Sequence, residues 1–210
     1  MRSALKKARE APSSTKARIL TTAEEVFAAK GFAGASTREI AAKAQVNISS
    51  LHYHWESKET LYFAVFENIY DRILDLVRRS IPMHIDGAKA GRAVVEEAMR
   101  ALFDFFADHP NVPKLLVRRL LENEEEHVDI ERDILVPAWR VFAAWTEEFG
   151  GRKLKHVDSQ LFMLTIHSVV LLFLLDSRHF TSLLEGSVYE PRVRQRVRAY
   201  IISLVQKLLG

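Results

Sequence analysis

The stretch STREIAAKAQVNISSLHYHW, from Ser36 to Trp55, carries two short helical patterns on either side of a three-residue turn. The first runs over about Thr37–Ala44, the turn is Gln45–Val46–Asn47, and the second runs over about Ile48–His54. Ser36 and Glu39 stand at capping-box spacing, which marks the first helix start. Asn47 can cap the second helix, because its side-chain oxygen can accept an orphan N–H of the first turn. Ile40, Ala41, Ala44, Val46, Leu51 and Trp55 form an apolar seam, and the small alanines allow close crossing. With Leu51 in the core, a rotation of about 100° per residue points Ser49 and Tyr53 outward, flanked by Ser50 and His52. Ile48 and His54 lie obliquely. A short helix that is polar outward and held by a partner helix has the geometry of a helix-turn-helix DNA reader.

The rest of the chain supplies the setting. Its 210 residues are 48% hydrophobic, enough to bury a core. With only 8 Gly and 6 Pro, the composition favours helices. The absence of cysteine excludes disulfides, thiol catalysis and cysteine-held metals, and is compatible with a cytoplasmic location. The net charge of +3 is unevenly spread: residues 1–60 hold 10 Lys and Arg against 6 Asp and Glu. The basic excess therefore accompanies the helix-turn-helix, as a phosphate-facing domain requires.

Residues 1–14 read as a flexible basic tail without the apolar segment of a signal peptide. Thr15–Gly31 is predicted as a helix stopped by its glycine. Ser57 can cap a long helix over about Lys58–Arg79, whose free N–H groups and Lys58 suit a phosphate oxygen. Two apolar stripes mark that helix as a connector between a small domain and a larger one. Further helices are predicted over Ala88–Ala107, Val112–Glu126, Asp129–Phe149 (bent or split by Pro137), Asp158–Asp176 and Pro191–Leu209. No strand or repeat is evident. Leu161–Leu175 is apolar but shorter than the ~20 residues a membrane-spanning helix needs. It reads as a helix buried all round, touching both a core and a partner subunit.

Thr15–Phe66 resembles the N-terminal domain of the tetracycline-repressor (TetR) family of bacterial transcription regulators. The likeness is carried by ILTTAEEVFAAKGFAGASTREIAAKAQVNISSLHYHWESKETLYFAVF as an ordered set over four helices, about a quarter of the chain. Within it stand Phe27, Lys30 and Gly31 at the end of the first helix, and Thr37–Ala41 at the start of the second. Leu51–Trp55 and Ser57–Glu59 complete it. The resemblance implies an all-α protein: a helix-turn-helix DNA-binding domain over 15–57, a connector helix over 58–79, and a helical ligand-binding and dimerisation domain over 80–210. It implies that Thr37, Arg38 and Lys58 hold phosphate and that Ile48, Ser49, Ser50, His52, Tyr53 and His54 form the recognition helix. Two departures from the family pattern stand out. Gln45 occupies the usual glycine of the turn, where a left-handed backbone would cost roughly 1 kcal/mol. His52 replaces the first tyrosine of an aromatic pair, so that phosphate contact is either lost or made pH-sensitive near the histidine pKa.

The resemblance further implies a homodimer through helices 158–176 and 191–209, reading a palindromic operator, with double-stranded DNA as the macromolecular partner. It implies repression released by a small molecule held in the larger domain, without any further cofactor. Candidate lining residues are Phe66, Tyr70, Phe103, Phe106, Trp139, Phe142, Phe162 and His167, which favour a hydrophobic ligand. His167 is the best polar candidate, because a buried imidazole needs a partner.

A helical enzyme or metal-binding bundle is the competing reading. Glu124 and His127 stand at i,i+3 within an acidic cluster over 122–129, but a second such pair on a facing helix is missing. His52 and His54 are two apart and do not share a face. No glycine-rich phosphate loop, G-x-S-x-G elbow or H-E-x-x-H is present, so neither catalytic nor metal-binding residues are expected.

Overall fold

The computed structural model describes residues 11, 13–80, 87–121, 130–149, 158–176 and 178–209. Residues 1–10 and 12 of the predicted tail, the whole acidic cluster over 122–129 and residues 150–157 lie outside them. Among the described residues all regular structure is helical. The helices are α1 Thr15–Gly34, α2 Thr37–Lys43, α3 Ile48–Trp55, α4 Lys58–Ser80, α5 Gly87–Asp108 and α6 Asn111–Leu121. A π turn over Glu131–Leu135 follows, then α7 Val136–Phe149, α8 Ser159–Leu174, α9 Arg178–Leu184 and α10 Pro191–Leu209. Two compact units result: residues 1–71 with 114–134, and residues 72–113 with 135–210.

In the first unit α1, α2 and α3 pack on one another. Ile19, Phe27, Ile40, Leu51 and Leu61 are completely buried there. Each of these three helices starts on a side-chain cap. Ser14 accepts the Ala17 N–H at 3.2 Å, Ser36 accepts that of Glu39 at 3.2 Å, and Asn47 accepts that of Ser50 at 2.6 Å. Such a cap stabilises a helix by about 1 kcal/mol, enough to matter in elements of seven and eight residues. The Glu39 carboxylate meets Lys30 at 2.6 Å. Gly31 has φ 73°, so the continuous helix ends there, and residues 32–34 form one more turn beyond the break.

In the second unit α5 packs on α7, α8 and α10, and α8 also packs on α7 and α10. Two polar clasps join α5 to α10. Arg194 reaches Asp104 at 2.8 Å and Asp108 at 2.6 Å, while Arg198 takes the other Asp104 oxygen at 2.6 Å. Further along, Gln206 donates to Glu96 at 2.9 Å, and Arg92 donates to the Gln206 carbonyl at 3.3 Å. Pro137 is the second residue of α7, which follows directly on the π turn, so its missing N–H falls where the α-helical bonding pattern is already interrupted.

Helix α9 is an element that the sequence pattern did not indicate. Asp176, in the left-handed region at φ 49°, ends the chain segment after α8 and gathers the turn around itself. Its carboxylate accepts from Ser187 Oγ at 2.8 Å, from the Val188 N–H at 3.2 Å and from Thr181 Oγ1 at 3.4 Å. Tyr189 donates to the Leu174 carbonyl. Burial first, and the Asp176 charge second, push its phenol up to about 12.

Candidate nucleic-acid interface

The turn between α2 and α3 is set by backbone bonds. The Val46 N–H reaches the Ala41 carbonyl at 3.0 Å, and the Gln45 N–H reaches that of Ala42 at 3.1 Å. This is the Schellman pattern, in which the residue after the C-cap adopts the left-handed backbone. That residue is Gln45, at φ 56°. The side chain that replaces glycine thus keeps the glycine conformation, as the sequence predicted, and carries the strain.

Helix α3 is seated by Leu51 and Trp55, which are 0% and 1% exposed. The Trp55 indole donates to the Lys16 carbonyl at 3.4 Å, and the Lys16 ammonium lies 5.2 Å from the indole ring centre. With that face fixed, helical geometry turns the opposite one outward. Tyr53 is 84% exposed and Ile48 36%. Ser49 and His52 are also exposed, while Ser50 and His54 are half-buried. The Tyr53 ring stands edge-on to His54 at 5.1 Å. His52 donates through Nδ1 to the Glu56 carbonyl at 3.2 Å, which fixes its ring near the helix end. Burial, then the Lys16 charge, hold the His54 imidazole below the ordinary histidine range. Thr37 is half-buried and Arg38 exposed at the start of α2. The stretch Ile48–His54 contains no carboxylate.

Lys58, which the resemblance implies as a phosphate ligand, is half-buried at the start of α4. Its ammonium donates to the carbonyls of Phe32 and Ala35 at 3.0 and 3.2 Å, and lies 4.2 Å from the Phe32 ring centre. Nothing in a lone Ser-Lys-Glu pattern signals this, because both acceptors are backbone atoms more than twenty residues upstream.

The eight predicted effector-lining residues divide between the units. Phe66 is fully buried in the first unit, edge-on to Tyr62 at 5.0 Å. Tyr70 is buried in the same unit, and burial with the Glu131 charge raises its phenol far above the ordinary range. Phe103, Phe106 and Phe162 are buried in the second unit. There His167 of α8 meets the Trp139 ring edge-on at 4.9 Å and the Phe106 ring at 6.3 Å. Burial lowers its pKa to about 4, so the imidazole is neutral near pH 7. The Phe142 side chain lies outside the described residues. Among those described, no group of three or more His, Asp and Glu is placed to hold a metal, and no helix is long and apolar enough to cross a membrane.

Arg118 and Arg119 were not singled out by the sequence. Arg118 of α6 donates to the Ala29 carbonyl of α1 at 3.0 Å. Arg119 is 3% exposed and meets Glu131 at 3.3 Å.

Comparison with known proteins agrees with this arrangement. The family model described as "Bacterial regulatory proteins, tetR family" matches residues 19–65, from the first buried residue of α1 into α4. The HTH-type transcriptional activator FasR of Mycolicibacterium smegmatis is 37% identical over 87 residues, which are 41% of this chain and 38% of FasR. The chain thus spans well under two thirds of that relative. The HTH-type transcriptional regulator YttP of Bacillus subtilis is 24% identical over 187 residues, 85% of this chain and 86% of YttP. The fatty acid degradation regulator FadR from Bacillus halodurans shares the fold, with TM-score 0.69 at 16% identity over 92% of this chain and 93% of FadR. The capped helix-turn-helix thus lies in the segment that matches the tetR family of bacterial regulatory proteins, and the described remainder is helical with a fold shared by such regulators.

Proposed function

We propose that this regulator is a repressor that binds a palindromic operator as a homodimer and is released by a hydrophobic small molecule. The observation that carries the DNA-binding part is the outward face of α3, exposed and free of carboxylates between two capped helix ends. Ile48, Ser49, Ser50, His52, Tyr53 and His54 read the major groove, and Thr37 and Arg38 bind the flanking phosphates. Lys58 is considered separately below.

The dimer reading rests on α8. Its inner face is buried by Phe162, Ile166, Val170 and Leu174, yet Leu161, Leu164 and Leu172 remain 61%, 49% and 53% exposed on the other side. Leucines at helical spacing on an uncovered face seek a partner. The twofold copy, with α10 alongside, supplies it. A recognition helix of this length reads few bases, and two of them about 34–36 Å apart read a palindrome.

The effector reading rests on the second unit. Its core is rich in aromatic residues, and His167 makes no hydrogen bond among the described residues. A ligand bound there that prefers the non-binding state weakens DNA binding by that preference, and DNA weakens the ligand equally; such coupling is typically about 1–3 kcal/mol.

The test is to select the protein against a randomised duplex library and recover a binding sequence. That duplex is then placed before a reporter gene, with the protein present and absent. A twofold-symmetric site and reporter silencing are expected. No salt-sensitive duplex binding, or stimulated reporter output, would overturn the DNA-binding or the repressor part respectively.

A further inference from the structure

Lys58 is the first residue of α4, the end of a helix where a cation is electrostatically disfavoured. Its ammonium is nevertheless turned into the domain. Two of its three N–H donors are engaged by the Phe32 and Ala35 carbonyls at 3.0 and 3.2 Å, and the Phe32 ring faces it at 4.2 Å. The Phe32 carbonyl also accepts the Ala35 N–H at 3.3 Å, so one cation closes the turn from both sides. The Phe32 ring is itself fixed against Tyr62 at 5.0 Å and Phe27 at 6.3 Å. Ala35 leads directly into Ser36, the cap of α2, and then into Thr37 and Arg38.

We propose that Lys58 governs DNA binding as a positioning residue: through the Phe32–Ala35 turn its ammonium fixes the start of α2, and it does not neutralise a phosphate. The proposal rests on the reading of α2 and α3 as the DNA-binding face. An ammonium that left its two carbonyls for a phosphate would release the turn that delivers Thr37 and Arg38. The cation is better used where it is: both carbonyls lie at the C-terminal end of α1, where a cation is favoured, and the Phe32 carbonyl has a second lone pair beside its bond from Ala35.

The two roles differ in their salt dependence. A lysine that neutralises a phosphate releases a counterion, and its loss lowers the slope of log K against log salt by about 0.9. A positioning lysine lowers affinity and leaves the slope alone. The experiment uses the full chain and the duplex recovered by selection, and compares wild type, Lys58→Met, Phe32→Leu and the double variant at several KCl concentrations. Lys58→Met is expected to bind roughly tenfold more weakly with an unchanged slope. Phe32→Leu should weaken binding in the same manner, and the double variant should lose less than the two single losses combined, because both act on one turn. A slope reduced by about 0.9 in Lys58→Met, with Phe32→Leu binding like wild type, overturns the proposal.

Should Lys58→Met not fold, lysine acetylation of the wild-type protein decides in its place. Lys58 is expected to react slowly both free and on DNA. Fast reaction in the free protein with protection on DNA overturns the proposal. If wild type itself binds no duplex in a salt-sensitive manner, the reading of function fails and takes the proposal with it. A changed slope in a wild type that binds well removes the proposal alone.

Discussion

Arg118, on α6, donates a hydrogen bond of 3.0 Å to the carbonyl of Ala29, in the last turn of α1 before Gly31 breaks the helix. The final carbonyls of a helix lack partners within it, and a guanidinium both satisfies one and suits the negative end of the helix. Arg118→Ala should therefore lower unfolding free energy by about 1 kcal/mol in urea titrations. The amides of the last α1 turn should exchange faster with solvent. Unchanged exchange there would show that the contact holds nothing.

Tyr53 and Ser49 project from α3 without supporting the core, since Tyr53 is 84% exposed. Tyr53→Ala and Ser49→Ala should unfold at the wild-type temperature yet lose affinity for the selected duplex, by about 1–3 kcal/mol for each base contact removed. Titration of labelled duplex measures the loss. Wild-type affinity in both variants would remove α3 from the recognition face.

Gln45 holds φ 56° at the Schellman position of the turn. A side chain there costs about 1–2 kcal/mol, and glycine returns part of that gain through the greater freedom of its unfolded chain, about 0.5–1 kcal/mol. Gln45→Gly should stabilise the protein by roughly 0.5–1 kcal/mol on balance, with duplex affinity unchanged. A denaturation midpoint that falls would place compensating contacts on the glutamine side chain.

His167 takes up a proton in the folded protein only near pH 4, because burial penalises the imidazolium. In the unfolded chain it does so near the ordinary value of about 6.5. The unfolded state therefore binds more protons between these values, so the contribution is fully present above about 6.5 and is lost as pH falls. By pH 4 the cost reaches roughly 3 kcal/mol. His167→Phe should flatten the acid side of the stability profile over that range, measured as the difference from wild type so that carboxylate titration cancels. Parallel profiles would place the imidazole in water.

Leu164 and Leu172 are 49% and 53% exposed on the outer face of α8. Changing both to Glu places charge on the proposed twofold interface and nowhere in the core. Sedimentation at micromolar concentration should report a monomer with wild-type helicity, and duplex binding should weaken sharply. A dimer that persists would locate the interface elsewhere.

Much of the first unit could be read from residue order. Ser36 with Glu39, Asn47 with Ser50 and Ser57 with Thr60 are caps within three residues of their partners, and each forms as the pattern implies. Leu51 and Trp55, four apart, had to share a face, which left Ser49 and Tyr53 on the other. Helix α9 was not visible in this way. Its seven residues show no strong period, and the Thr181 hydroxyl and the Ser187 and Val188 groups around it meet at Asp176 only after the chain turns back.

The sequence by itself thus determined the helix-turn-helix, its caps, the strained Gln45 and the outward face of α3, because these follow from interactions among residues close in the chain. Tertiary structure alone decided where the cations go. Lys58 turns inward to carbonyls 23 and 26 residues away, Arg118 reaches across 89 residues to Ala29, and Arg194 crosses 90 to Asp104. A lysine or arginine carries a long, flexible stem and several donors, so its local sequence leaves many partners open. Only the packed helices select one.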